Sequence, residues 1–134
     1  MLSTETLAFL EELGRRSHSA YPEGGLLYTY LEAANQAHSR FRPCSADEQR
    51  ISQPQLHALG GFLQSSQGEY TITEVKPGFV SLAEQLMQLL NQDLNFSQAT
   101  WAFEDDGDSM GAKLEFARQS DNRFFSLELF WSID

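Results

Sequence analysis

Hydrophobic and polar residues alternate along the last third of the chain, from Gln98 to Asp134. Two polar stretches, DDGDSM and SDN, divide the alternation into three runs: QATWAFE, GAKLEFARQ and RFFSLELFWSID. A period of two sends successive side chains to opposite faces of a sheet. The pattern therefore predicts three strands joined by two polar turns, a β-meander.

The predicted strands have one apolar face and one mostly polar face. The apolar face consists of Trp101, Phe103, Leu114, Phe116, Phe125, Leu127, Leu129 and Trp131. The other face consists of Thr100, Ala102, Glu104, Lys113, Glu115, Ser126 and Glu128, joined by Phe124 and Phe130. We expect the apolar face to line the core. The two phenylalanines indicate that part of the outer face is covered as well, by the early helices or by a partner.

The second turn also predicts the register of the last two strands. A loop of Gln119 to Asn122 creates four opposed pairs: Phe116 with Phe125, Leu114 with Leu127, Lys113 with Glu128, and Arg118 with Arg123. The first three pairs are favourable, whereas the arginine pair has a modest cost at the exposed end of the hairpin. A slip of one residue would expose the whole aromatic set.

Apolar residues at helical spacing, together with capping signals, predict helices in the remaining chain. The predicted helices run from about Thr4 to Arg16, Gly25 to Arg40, Ala46 to Arg50, Ser52 to Leu63, and Ser81 to Leu90. Ser3 or Thr4 is the expected N-cap of the first helix, and a capping box of Ser81 with Glu84 is expected to open the last. Gly60-Gly61 either ends the fourth helix or permits a close helix crossing.

A further strand is predicted between the last two helices, from about Glu69 to Val75. Its sequence, EYTITEV, alternates and is rich in β-branched residues. It is short and half polar, as edge strands often are, and either edge of the meander could take it. Helices grouped first and strands last indicate one α+β domain over residues 1–134. In this domain a roughly four-stranded antiparallel sheet carries the helices on one face.

Composition excludes several classes of protein. The hydrophobic content of 41% and aromatic content of 12% are too high for a disordered chain. No apolar run approaches the roughly 20 residues that a membrane-spanning helix needs. The first residues, MLSTETLAFLEEL, lack the features of a secretory signal, and the lone Cys44 does not suit a disulfide framework. We expect a globular cytoplasmic protein in which Cys44 has no catalytic role.

The net charge of -10 is concentrated in the sheet half of the chain. Residues 1–67 contain five arginines and seven acidic residues, whereas residues 68–134 contain four basic and twelve acidic residues. Such a field repels nucleic acid and anionic membranes, and it attracts basic partners. We therefore expect a protein partner with a basic surface, no nucleic acid and no membrane, and a monomer or weak dimer.

The sequence contains no recognisable catalytic, metal-binding or cofactor-binding motif. His18, His38 and His57 lack the short spacing of metal ligands, and the acidic run from Glu104 to Asp108 lacks the alternating register of a calcium loop. Phosphate-binding loops and nucleophile elbows are also missing from the sequence. The expectation is therefore a protein that is not an enzyme and has no metal and no cofactor.

These features favour a small acidic protein-binding module, such as a bacterial immunity protein that occludes a toxin or another basic protein. The predicted contact residues are Glu104, Asp105, Asp106, Asp108, Phe124, Glu128 and Phe130. The four acids before Ser109 also suit a tight turn, which favours Asp and Gly. One alternative is a secretion chaperone that dimerises through an apolar surface and holds an effector segment. Another is a ligand-binding domain or enzyme whose pocket brings together Tyr30, His38 and Trp101.

Overall fold

The computed structural model describes residues 1–33, 53–69 and 74–133. Within these ranges the chain forms three helices and four strands. In chain order they are α1 (Thr4–Ala20), β1 (Gly25–Ala33), α2 (Gln53–Ser66), α3 (Pro77–Leu94), β2 (Gln98–Asp105), β3 (Ser109–Arg118) and β4 (Arg123–Ser132). The strands form one antiparallel sheet in the order β1-β4-β3-β2. The predicted α+β class, with a C-terminal meander, is confirmed.

The predicted register of the meander is confirmed at all four pairs. Phe116 lies opposite Phe125, Leu114 opposite Leu127, Lys113 opposite Glu128, and Arg118 opposite Arg123. Asp121, in the intervening turn, offsets the repulsion between the two arginines. Its carboxylate accepts two hydrogen bonds of 2.9 Å from Arg118 and lies 3.6 Å from the Arg123 guanidinium.

The helix predicted from Gly25 to Arg40 is wrong over its described part, which forms strand β1. Leu27, Tyr30 and Leu31 have helical spacing, but the same segment also alternates with a period of two. The alternation decides the outcome, because β1 pairs with β4 along its whole length, from Gly25 opposite Ser132 to Ala33 opposite Phe124. β1 is therefore one of the two edge strands of the sheet, and β2 is the other.

The strand predicted from Glu69 to Val75 does not supply the fourth strand of this sheet. Its residues 70–73 lie outside the described ranges, and Glu69, Glu74 and Val75 are not in a strand. The buried side chain of Gln64, on α2, binds the chain at the end of this segment. Its amide donates to the Glu74 carbonyl (3.0 Å) and accepts from the Lys76 N–H (2.8 Å).

The ends of the helices differ from the predicted ends. Ser3 is the N-cap of α1 as predicted, and its hydroxyl accepts from the Thr6 N–H (3.2 Å), but the helix continues to Ala20. The capping box at Ser81 is wrong, because α3 begins one turn earlier, at Pro77, whose missing N–H suits a first helical position. The short helix predicted from Ala46 to Arg50 lies outside the described residues.

The helix α2 continues through Gly60-Gly61, which therefore marks a close crossing and not an end. A side chain at Gly60 would meet backbone atoms of α3, the nearest being the Val80 nitrogen at 3.0 Å. Only hydrogen at this position allows the two helices to approach so closely.

The helices and the inner face of the sheet enclose a shared apolar core. Its largest fully buried side chains include Leu10, Leu13, Leu59, Phe62, Leu86, Leu90, Leu114, Phe116, Leu127 and Trp131. Trp101 and Phe103, on edge strand β2, are only partly covered. No helix among the described residues has both the length and the apolar character needed to cross a membrane.

Candidate protein-docking surface

The outer face of the sheet, opposite the helices, contains four rows of paired residues that cross all four strands. From the β2–β3 turn inward, the rows are Glu104, Gly111, Phe130 and Leu27; Ala102, Lys113, Glu128 and Thr29; Thr100, Glu115, Ser126 and Leu31; and Gln98, Ala117, Phe124 and Ala33. Each row crosses the strands in the order β2, β3, β4 and β1. Neighbouring strands lie about 4.8 Å apart, so a row is about 14 Å long.

Three large apolar side chains are exposed on the β4 and β1 side of this face. The exposed fraction is 63% for Leu27, 59% for Leu31 and 46% for Phe130. Leu27 lies directly opposite Phe130, and Leu31 follows on the same strand beyond Thr29. We call these three side chains the apolar strip.

Beside Phe130 the outer face has an open groove of about 350 Å³. The groove exists because Gly111, which has no side chain, stands between Glu104 and Phe130 in the first row, and the next row begins with the small Ala102. A Cβ built on Gly111 would touch only the Leu129 carbonyl, at 3.9 Å. The space above Gly111 is therefore open to a ligand.

Carboxylates outnumber cations among the described side chains beside the groove. The Lys113 ammonium lies 3.4 Å from the Glu128 carboxylate and 3.8 Å from that of Glu115. Glu115 is only 7% exposed, and this ion pair offsets part of the cost of burying its charge. The exposed Glu104 makes no ion pair or hydrogen bond with any residue that the structure describes. Among the described residues at the groove, Lys113 thus lies near two carboxylates, and Glu104 is a third carboxylate without a partner.

The acidic turn between β2 and β3 carries the other acids predicted as contacts. The Asp105 side chain accepts from the Gly107 N–H (2.9 Å), and Gly107 adopts a positive φ of 86°. This is turn chemistry, since an Asx bond and a glycine stabilise a tight turn. The Asp106 N–H donates to the Ser109 carbonyl (2.9 Å), and the Asp108 carbonyl accepts from the Ile133 N–H (3.0 Å). The carboxylates of Asp106 and Asp108 are exposed and have no partners among the described residues. The turn structure accounts for Asp105 and Gly107 but not for the other two carboxylates.

The structure brings together most of the residues predicted as contacts. Glu104 and Phe130 belong to the first row, Glu128 belongs to the second, and the acidic turn adjoins the first. Phe124 belongs to the fourth row, is 6% exposed and offers no surface to a partner here. The contact role of all these residues stays a prediction.

Sequence reasoning missed Leu27 and Leu31, because it placed them on a helix. The signal that could have found them is the segment LLYTYLE, in which Tyr28 and Tyr30 alternate with Leu27, Thr29 and Leu31 and three of the residues are β-forming Tyr or Thr. It also missed the groove, since the absence of a side chain at Gly111 matters only once its neighbours across the sheet are known.

The pocket predicted between Tyr30, His38 and Trp101 is not formed by its described members. Tyr30 and Trp101 belong to the same row on the inner face, but they lie on the two edge strands. The backbones of these strands are three strand spacings, or about 14 Å, apart. Burial, followed by the hydrogen bond that the phenol donates to Glu32, raises the pKa of Tyr30 well above its ordinary value. The phenol therefore stays protonated at neutral pH. His38 lies outside the described residues.

The remaining chemistry-bearing side chains form no cluster in the described part of the chain. His18 and His57 are exposed on α1 and α2 respectively. Across residues 1–33, 53–69 and 74–133, no group of three or more His, Cys, Asp or Glu is placed to hold a metal ion. Cys44 lies outside these ranges.

Comparison of the chain with protein-family models, with curated proteins and with solved structures found no match. The outer face is therefore interpreted from its own geometry and chemistry.

Proposed function

We propose that this chain is a protein-binding module that docks a basic protein on the outer face of its sheet. The mode of action would be that of an immunity-type inhibitor, which occludes a toxin or another basic protein in the cytoplasm without a catalytic step. The observation that carries the proposal is the apolar strip of Leu27, Leu31 and Phe130, exposed beside an excess of carboxylates.

The composition of this surface supports a protein partner. Interfaces combine a desolvated apolar centre with a polar rim, and aromatic side chains contribute strongly at the centre. Phe130 and Leu27 provide such a centre, while Glu104, Glu128 and the acidic turn provide the rim. Carboxylates on the rim would meet basic side chains of the partner, which favours a basic protein over an acidic one.

The apolar centre is tested by a double variant, Leu27→Ser with Phe130→Ser. The partner is first captured from an extract of the source organism on the immobilised full chain, and its Kd for each variant is then measured. We expect the double variant to raise the Kd roughly 30-fold, equivalent to about 2 kcal/mol, as for a hot spot. The change should leave the free protein folded, because substitutions at exposed sites cost little stability.

The matched control is Gln85→Ser with Gln88→Ser, two exposed positions on α3. This control should bind the partner as the wild type does. Wild-type affinity in the Leu27 and Phe130 variant would place the interface elsewhere and refute the proposal, as would failure to retain any stable partner.

The acidic turn is tested separately by changing Asp105, Asp106 and Asp108 to Asn. Asparagine keeps the side-chain oxygen that accepts from Gly107, so the turn survives while three charges are lost. Rim charges act mainly on encounter, so we expect association to slow by up to about tenfold at low salt. The effect should vanish near 1 M salt, where the Debye length is about 3 Å.

A control with the same net charge replaces Glu5, Glu11 and Glu84 by Gln. These exposed acids lie on α1 and α3, away from the outer face. Their loss should change the association rate less than the turn variant does. Equal rates for the two triple variants would assign the acidic turn to turn formation alone.

The same exposed strip also bears on the secretion-chaperone alternative, because such proteins dimerise through apolar surfaces. Light scattering distinguishes the two functions. A stable dimer that the Leu27 and Phe130 variant converts to a monomer would favour the chaperone. A monomer whose strip is needed only for partner binding favours the inhibitor.

A further inference from the structure

We propose that the groove above Gly111 receives the guanidinium group of an arginine side chain on the basic partner. This inference rests on the proposed function and adds to it the chemistry of one central contact. The observation that supports it is a single row of the sheet in which Gly111, without a side chain, lies between the carboxylate of Glu104 and the aromatic ring of Phe130.

The width of the groove follows from the sheet register. Glu104 and Phe130 lie on either side of Gly111, two strand spacings apart, or about 10 Å from backbone to backbone. The volume of about 350 Å³ is at the lower end of the range for small-molecule pockets, and the groove is open to solvent. It therefore suits one inserted side chain better than a buried small molecule.

The walls of the groove match the guanidinium group in particular. A guanidinium ion is planar, weakly hydrated and able to stack on an aromatic ring while it donates to a carboxylate. Phe130 offers the ring and Glu104 offers the carboxylate. A lysine ammonium is a compact, strongly hydrated charge and gains less from this combination.

The chain already contains the same combination within its own fold. The Arg118 guanidinium lies 5.0 Å from the centroid of the Phe125 ring and donates two hydrogen bonds of 2.9 Å to the Asp121 carboxylate. An arginine in the groove would likewise have an aromatic ring and a carboxylate as its neighbours.

The charge of the groove excludes an anion as its occupant. Among the described side chains that line it, Lys113 is the one cation, and its ammonium already pairs with Glu128 and Glu115. An anion would have to displace these carboxylates and would be repelled by Glu104. A cation would be attracted instead, because Glu104 has no competing partner in the described part of the chain and can pair with it.

The test is a titration of the isotope-labelled full chain with two blocked tripeptides, Ala-Arg-Ala and Ala-Lys-Ala, followed by NMR at low salt. We expect the arginine peptide to shift the amide signals of Gly111, Ala102 and Phe130, with at least threefold weaker binding of the lysine peptide. Shifts that are spread over all acidic residues, or equal affinity for the two peptides, would overturn the inference.

A variant that fills the groove sharpens the test. Gly111→Val places a side chain into open space, because its Cβ would make only an ordinary contact with the Leu129 carbonyl, and valine suits a strand. We expect at least a tenfold loss of arginine-peptide binding. Thr29→Val introduces the same side chain on the same face, outside the groove, and should bind the peptide as the wild type does. Equal binding by Gly111→Val and wild type would overturn the inference.

The inference and the proposed function fail in different ways. If Gly111→Val binds the arginine peptide as the wild type does, while Leu27→Ser with Phe130→Ser still weakens binding of the partner, the arginine site is wrong. The docking surface then stands. If that double variant binds the partner with wild-type affinity, the docking surface itself is wrong, whatever the peptide does.

Discussion

At the scale of single residues, Asp93 joins two helices that are far apart in the sequence. One carboxylate oxygen near the end of α3 accepts from the Ser3 N–H (3.0 Å), the Ser3 hydroxyl (3.1 Å) and the Thr6 hydroxyl (2.5 Å). Thr6 is fully buried, so its hydroxyl needs this partner. The negative charge also lies at the start of α1, where the helix dipole favours it. The Asp93 carboxylate thus complements the N-cap made by Ser3.

Replacing Asp93 by Asn tests this contribution. Burial alone would raise the pKa of Asp93, but the hydrogen bonds from Thr6 and Ser3 outweigh it and hold the pKa below its ordinary value. A lowered folded-state pKa means that the stabilisation is present above the unfolded pKa, about 3.9, and is lost as the pH falls through the folded value. We expect Asp93→Asn to lower the free energy of unfolding by about 1–2 kcal/mol at pH 7.

The measurement is urea unfolding of wild type and variant at several pH values between 7 and 2. The difference between them should shrink at the acid end, where the wild-type carboxyl is protonated as well. Glu84→Gln is the control, an exposed acid on the same helix, and it should change little at any pH. A difference that stays constant down to pH 2 would show that the ionised carboxylate is not its source.

At the scale of elements, the sequence predicts strands whose partners are close in the chain. It misses β1, whose partner is distant in the chain. The β3–β4 register is correct, because a short turn and the facing aromatic residues constrain it together. The segment of β1 satisfies helical and strand spacing equally, and its pairing with β4, about 100 residues later, decides between them. The same holds for the candidate site. The sequence predicts Phe130 and Glu128 on the outer face because they lie in the meander, whereas it misses Leu27 because Leu27 lies on β1.

The α2–α3 crossing gives a prediction at the element scale. Gly60→Leu would force a side chain against the backbone at Val80, and overpacking of this kind costs roughly 1–3 kcal/mol. Gly78→Leu, in the first turn of α3, is the matched control, because nothing lies within 4 Å of a Cβ built there. It should be neutral or stabilising, since leucine favours a helix more than glycine does.

Thermal unfolding of the two variants followed by circular dichroism measures this difference. We expect a lower Tm for Gly60→Leu and an unchanged or higher Tm for Gly78→Leu. Similar Tm values for the two variants would mean that the close approach of α2 and α3 adds nothing to stability.

At the scale of the whole molecule, the last strand of the chain is a central strand of the sheet. β4 lies between β1 and β3, so in the described sheet β1 is joined to the other strands of the meander through β4. Its inner side chains Leu127, Leu129 and Trp131 are almost completely buried. The Trp131 ring stacks on the ring of Tyr21, the residue that follows α1, with 5.1 Å between the ring centroids. The first and last parts of the described chain therefore depend on each other for their burial.

Deletion of residues 129–134 tests this dependence. It removes Leu129 and Trp131 from the core, each worth roughly 1.5–3 kcal/mol, and leaves the first part of β1 without a partner strand. Together these losses approach the stability of a whole domain, about 5–15 kcal/mol. We expect an insoluble or unfolded product, as judged by its solubility and its circular dichroism. Phe130→Ser, which changes an exposed residue of the same strand and keeps the pairing, should fold and melt cooperatively. A truncated chain that melted at the full-length Tm would show that the end of β4 is not needed for the core.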